Sequence, residues 1–302
     1  MSRFAGYFAA LTASTLMFTA VGCGKSSADG SARSHADQHG GTAEAQGDPS
    51  HSGEIQLAGG DVSLDGGVTP AGYFVPGADP FKFVLAKLQP LHVLVGTWRG
   101  VTVRAIGGAK AIESPEWSWD FLSDSLQPAL VLTSKTSPYL HKARLTFLAD
   151  RRVFHCVVSD ANGGERVYEG NFTQPPQEAP SSNGDLQRSF KLRLVQVTPM
   201  PQSDELVFSQ ENNDRYLLEI HRTSDGSLKH YDTVQTVREG GSISIEPEKF
   251  GGHRCIVSGG MGAIPVSHEG KTYHVCCEGC KAAFLANPMR WIAAASESAR
   301  HP

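Results

Sequence analysis

The chain has 302 residues, a formal net charge of −4 and 40% hydrophobic residues, enough for two folded domains or for one domain with tails. No block of lysine and arginine stands anywhere in it, which excludes nucleic acid as a partner on electrostatic grounds. Six cysteines are present, and four of them fall in one 26-residue window near the C-terminus.

The N-terminus reads as a targeting segment. Arg3 provides the positive start, Phe4 to Val21 is an uncharged, largely apolar run, and Ala20-Val21-Gly22 places small residues directly before Cys23. The arrangement resembles a bacterial lipoprotein signal ending in a lipobox, with Ala20 where that family more often has leucine. The resemblance implies cleavage after residue 22, lipidation of Cys23 and a place in the cell envelope, anchored to a membrane on its periplasmic side or at the surface. An ordinary cleaved signal and an uncleaved anchor remain the alternatives; the run is short for a spanning helix.

Residues 23–76 are rich in Gly, Ser, Ala and Asp and poor in large apolar side chains, the composition of a flexible tether. His35, His39 and His51 lie in this stretch and read as part of a solvated linker. From about Pro80 to Glu246 the pattern is antiparallel β. Trp117-Ser-Trp119, Phe190-Lys-Leu192-Arg-Leu194 and Tyr216-Leu-Leu218-Glu-Ile220 alternate with a period of two, and Val153–Ser159 reads as another strand. Asn162-Gly163-Gly164, Asn212-Asn213-Asp214 and Ser224-Asp225-Gly226 supply the turns, and Gln174 to Gly184 reads as a longer loop. Nine or ten strands joined in sequence order predict an up-and-down barrel over residues 77–247, because closure removes the exposed edges.

Gly96-Thr97-Trp98 resembles the Gly-x-Trp element that opens lipocalin-like barrels, which implies an interior able to take a small apolar ligand. Trp98, Trp117, Trp119 and Phe147 are the candidate lining, with plain core as the other reading. His155 and Cys156 are neighbours on one strand and point to opposite faces, so they cannot act as a catalytic pair or share a metal. Cys156 reads as a small buried apolar residue.

Residues 250–302 change pattern. Pro265–His268 and Lys271–Val275 flank Glu269-Gly270 as a hairpin, Cys276-Cys277-Glu278-Gly279-Cys280 follows directly, and a helix runs through Lys281–Ala286. Asn287-Pro288 then suits the cap and first position of a second helix carrying Trp291 and Ile292. Twenty residues separate Cys255 from Cys276. A hairpin and a short helix give too small a core to stand alone, and a metal crosslink would supply what burial cannot. Thiolates select soft ions, Cu(I) or Zn(II) over Mg(II) or Ca(II), and Cys280 near a helix N-terminus is in a place that favours the thiolate.

Cys255, Cys276 and Cys280, with Cys255-Ile-Val-Ser-Gly259, Met261-Gly-Ala-Ile-Pro265-Val266, Gly270-Lys-Thr-Tyr273, Phe284 and Asn287-Pro288 around them, resemble the TRASH domain, a relative of the YHS domain. The resemblance covers residues 253–296. It implies a treble-clef-like ββα module, those three cysteines as metal ligands, and a role in heavy-metal sensing, trafficking or sequestration. Position 258, where a treble clef often has a second cysteine, is Ser258. His274, Cys277 and His253 are the candidates for a fourth ligand, and a protein partner is left unnamed. The expectation is a metal-binding protein and not an enzyme. The competing readings are a ligand-binding barrel with a structural zinc module, and a thiol–disulfide protein using Cys277-Glu-Gly-Cys280, which lacks a thioredoxin's βαβ surroundings.

Overall fold

The computed structural model describes residues 79–182, 184–197, 203–240, 252–298 and 300, all within one compact unit, Asp61–Pro302. The signal segment, Cys23, and the tether with His35, His39 and His51 lie outside the described residues.

The first element differs from the all-β expectation. Helix α1, Pro80–Leu88, starts at Asp79, whose carboxylate accepts from the Phe81 amide at 3.0 Å, and Pro80 fills the first position, where its missing N–H costs nothing. Phe81, Val84 and Leu88 recur at helical spacing and are buried, so a capped amphipathic turn overrides the strand reading there. A 3-10 segment, Gln89–Leu94, leads into the barrel.

The strands of the main sheet are β1 Gly96–Ile106, β2 Ala109–Glu113, β3 Glu116–Asp120, β4 Ala129–Thr133, β5 Lys142–Leu148, β6 Val153–Ser159, β7 Glu165–Pro180, β8 Leu186–Gln196, β9 Asp204–Asn212, β10 Arg215–Ser224 and β11 Ser227–Arg238, of which all but β2 make up the barrel. From β3 to β11 each strand pairs with the next, and β11 returns to β1 from Trp98↔Arg238 to Thr102↔Val234. The result is a closed antiparallel barrel of ten strands, as the alternating pattern predicted. β1 pairs with β3 only at Gly96 and Thr97, and from Gly100 onward it pairs with the hairpin strand β2.

Strand β7 corrects a second expectation. The stretch read as a loop from Gln174 pairs with β8 as far as Pro180↔Leu186, and its register shifts between Phe172 and Gln177. The shifts take up Pro175 and Pro176, which cannot donate to a ladder, so proline marks a bulge here and not a strand end.

Alternation along the strands sorts side chains as the period of two requires: Phe190, Leu192 and Leu194 are buried while Lys191 and Arg193 are exposed. The four candidate lining residues pack on other rings. Trp98 meets Tyr216 edge-on at 4.8 Å, Trp117 meets Phe208 at 5.9 Å, Trp119 stacks on Phe121 at 5.3 Å, and Phe147 meets Phe154 at 5.2 Å. Cys156 is buried, its thiol pushed up to about 12 by that burial. His155, on the other face, bonds Glu169 at 2.9 Å.

One row across the barrel is polar. Glu113 and Thr236 both register with Gly100, and Thr236 and Gln210 both register with Tyr216. A Cβ on residue 100 would lie 2.7 Å from the Glu113 side chain, so glycine is what lets that carboxylate cross the strand. Burial raises the Glu113 pKa above its ordinary value, and its Oε2 is buried with no hydrogen-bond partner. A carboxyl whose folded pKa lies above its unfolded one costs nothing while both states are protonated, and its penalty grows as pH rises through the folded value. Glu113→Gln should therefore raise the melting temperature at pH 8 and leave it nearly unchanged at pH 4. A thermal scan at both pH values checks this, and equal shifts would refute it.

After the barrel come β12 His253–Arg254, β13 Met261–Gly262, β14 Ile264–His268, β15 Lys271–Val275, helix α2 Glu278–Ala286 and helix α3 Pro288–Ser298. β14 and β15 form the expected hairpin, with Glu269 and Gly270 both at positive φ in its turn. Asn287 caps α3 through the Arg290 amide at 3.2 Å. These elements lie on the barrel: Trp291 packs against Phe81 and Phe121, and α2 runs along β3.

Candidate metal centre

Two short pieces of backbone bring the thiols together. The first is a knuckle after β12. The Cys255 amide donates to the Gly260 carbonyl at 2.6 Å, the Gly259 amide to the Cys255 carbonyl at 2.9 Å, and Gly259 takes φ +76° to close the turn. The turn also aims the Ser258 amide at the Cys255 sulfur, 3.3 Å away. The second piece is the start of α2, where Cys276 directly follows β15, Cys277 is the N-cap residue and Cys280 sits in the first helical turn. The pieces join where the Ile256 amide donates to the His274 carbonyl at 2.9 Å.

The sulfurs of Cys255, Cys276 and Cys280 lie within 4.8 Å of one another, the one group of three metal-ligating side chains this close among the described residues. Cys276 Sγ stands 3.3 Å from Cys280 Sγ and 3.7 Å from Cys277 Sγ. Tetrahedral zinc with Zn–S bonds of ~2.3 Å separates its sulfurs by ~3.8 Å, so small adjustments would seat one ion among the three. The donors are all soft thiols, and every described cysteine is free. The residues fit a soft metal ion.

The four clustered thiols share protons. Hydrogen bonds from Cys276, then Cys280, hold Cys255 well below the ordinary thiol range, and the same two donors do so for Cys277. Cys276 is pushed up by sharing its proton with Cys255 and Cys277, and Cys280 is pushed up first by burial. A bound cation would take the place of those shared protons.

Of the candidates for a fourth ligand, Cys277 stands at the edge of the cluster and its sulfur accepts the Trp119 amide at 3.5 Å. His253 and His274 stack on each other with ring centroids 3.6 Å apart, and neither belongs to the group of three. Burial, then the neighbouring His253, lowers the His274 pKa.

The barrel and the 3-10 segment before it contribute residues that local motif reading missed. Because β3 leaves its β1-side edge free beyond Trp117, the Trp119 amide is available to Cys277, and α2 covers that edge. The approach is close: a Cβ on Gly279 would lie 1.7 Å from the Trp119 carbonyl oxygen. His92 sits over the knuckle, where a Cβ on Gly260 would be 1.9 Å from its Nε2, and its Nδ1 accepts from Trp119 Nε1 at 3.0 Å. Burial takes the His92 pKa down to about 4, so it is a neutral ring. Gln89 Nε2 donates to the Ser258 carbonyl. The only sequence signal for His92 was a polar ring inside the apolar run Leu91–Val95.

No family model matches this chain, and no curated protein matches it.

Proposed function

We propose that this chain is a bacterial envelope lipoprotein that binds a soft heavy-metal ion, Cu(I) or Zn(II), through Cys255, Cys276 and Cys280. The ion is its cargo, held for sequestration, sensing or trafficking, and the protein is a binder and not an enzyme. The observation that carries the reading is the convergence of three thiols within 4.8 Å, one from the knuckle and two from the start of α2. Only thiols make up that group, which favours a soft ion over a hard one. An incomplete ligand set suits an ion that must be released, since no closed shell has to be broken. The targeting pattern ending at Cys23 supports the envelope location, with the lipid as the membrane anchor and residues 24–76 as the tether.

The test is the metal content of residues 24–302, prepared reduced and without oxygen. About one Cu or Zn per chain is expected, lost in a Cys276→Ser, Cys280→Ser variant. Binding should release protons and weaken as pH falls, because the ion competes with protons for the same sulfurs. Metal-free protein with its thiols oxidised to disulfides would sink the reading and favour the redox one.

A second reading makes the ion a structural zinc, with the barrel as the working part, a small apolar ligand being its cargo. It draws support from the burial of the cluster: Cys280 is 0% and Cys255 2% exposed, and Cys277 bonds the barrel. Chelation separates the two. Under the handling reading the ion leaves and the fold survives. Under the structural reading α2 comes off β3, and the near-ultraviolet signal of Trp119 collapses.

A further inference from the structure

The three grouped sulfurs stand without a fourth ligand beside them. Cys277 turns its thiol to the Trp119 amide. The His253 and His274 rings lie face to face, 3.6 Å apart and 13° from parallel, so their in-plane nitrogens do not converge on one ion. Cys255 and Cys280 are 2% and 0% exposed, so the net charge of whatever they hold matters. Three thiolates around Zn(II) leave one negative charge, and around Cu(I) they leave two, which a buried site must compensate. Two dipoles meet that charge: the Ser258 amide, 3.3 Å from the Cys255 sulfur, and the Ser258 hydroxyl, 3.3 Å from that of Cys276. Neither carries a full positive charge. Three thiolates around a trivalent centre leave no charge to compensate.

We propose, on the reading of this cluster as a soft-ion site, that Cys255, Cys276 and Cys280 also capture trivalent arsenic, taken up as arsenous acid. Arsenic(III) is a soft centre that bonds three sulfurs in a pyramid, its lone pair filling the fourth direction. A closed tetrahedral zinc site needs a fourth ligand; a pyramidal centre does not. Bond angles near a right angle also draw the sulfurs of a pyramid closer than the ~3.8 Å of tetrahedral zinc, and Cys276 and Cys280 stand 3.3 Å apart. The step balances without an oxidant. Three As–O bonds break and three As–S bonds form, each thiol proton leaves with a hydroxide as water, and arsenic stays trivalent. A cleft of about 880 Å³ between α1, α3 and the knuckle gives the way in, and Cys255 and Ser258 line it. Arsenous acid is neutral and smaller than the cleft, so the apolar walls of Phe81, Ile256 and Trp291 impose no charge-burial cost on its entry.

The experiment titrates reduced residues 24–302 with sodium arsenite and reads the complex by native mass spectrometry, in which each As–S bond removes one thiol hydrogen and one hydroxyl of the reagent. One arsenic per chain with no hydroxyl left on it is expected, and its presence should exclude Zn(II) from the same chain. Cys280→Ser should lose the third bond and leave a hydroxyl on arsenic, with a native charge-state distribution showing that the variant is folded. Cys156→Ala, which removes the cysteine buried in the barrel, should bind as the native chain does. Uptake of Cu or Zn with no arsenic adduct overturns the arsenic capture alone. A native adduct that keeps a hydroxyl and is unchanged in Cys280→Ser also overturns it, because two neighbouring thiols then do the binding. So does an adduct that leaves zinc uptake intact, which puts the arsenic elsewhere. If the chain takes neither arsenite nor Cu or Zn, the cluster reading falls and arsenic capture falls with it.

Discussion

Replacing Gly279 by alanine should destabilise the protein by about 3 kcal/mol or more and release the cysteine cluster, at the upper end of what overpacking costs. The sign is what makes the result informative. Gly279 lies in the first turn of α2, and helix propensity alone would make Gly→Ala favourable by up to ~1 kcal/mol. The structure reverses that preference because the new methyl would lie 1.7 Å from the Trp119 carbonyl oxygen and 2.9 Å from its carbon. Both atoms are backbone in a paired strand, so no side chain can swing aside, and α2 must lift from β3. Lifting α2 carries Cys276, Cys277 and Cys280 away from Cys255 and withdraws the Trp119 amide from Cys277. Urea unfolding and a metal titration of Gly279→Ala should fall together. Ala282→Gly, on the exposed side of the same helix, should lose only about the propensity term and keep its metal. An alanine at 279 that unfolds no sooner than the native chain would refute the close docking.

Much of this was legible in the residues. The period of two in β3, β8 and β10 is the imprint of a sheet with one face buried, and the turn at Glu269-Gly270 needs residues that accept positive φ. The spacing of Cys255, Cys276 and Cys280 marked three side chains that the fold does bring together. What escaped has physical reasons too. The Asp79-Pro80 cap is a strong helix start, yet Phe81 to Val95 is apolar enough to pass for a buried strand. Pro175-Pro176 broke the strand pattern, although a bulge takes up both residues. The support for the site was invisible because it is distant in the chain: Trp119 meets Cys277 across 158 residues, and Gln89 meets Ser258 across 169. No local periodicity encodes which strand edge is left free, and that free edge is what seats the cluster.

That seating predicts unequal roles for two cysteines only three positions apart. Cys280 is buried, and its sulfur lies in the group of three with Cys255 and Cys276. Cys277, at the N-cap, turns its sulfur to the Trp119 amide. Cys280→Ser therefore removes a ligand, and the hard, weakly acidic hydroxyl that replaces it is a poor donor to a soft ion. Metal stoichiometry should drop to background. Cys277→Ser keeps the three ligands and alters a supporting contact, so it should retain one ion per chain and weaken its hold by roughly 10–100-fold. A serine hydroxyl can still accept the Trp119 amide, which keeps α2 docked and limits the loss. Competition against a chromophoric chelator measures both variants on one scale. Equal, complete loss in the two would make Cys277 the fourth ligand, and the ion would then join the barrel edge to the cluster directly. Retention of full affinity in Cys280→Ser would break the assignment of the site, because no remaining pair of thiols joins the knuckle to the first turn of α2 in the same way.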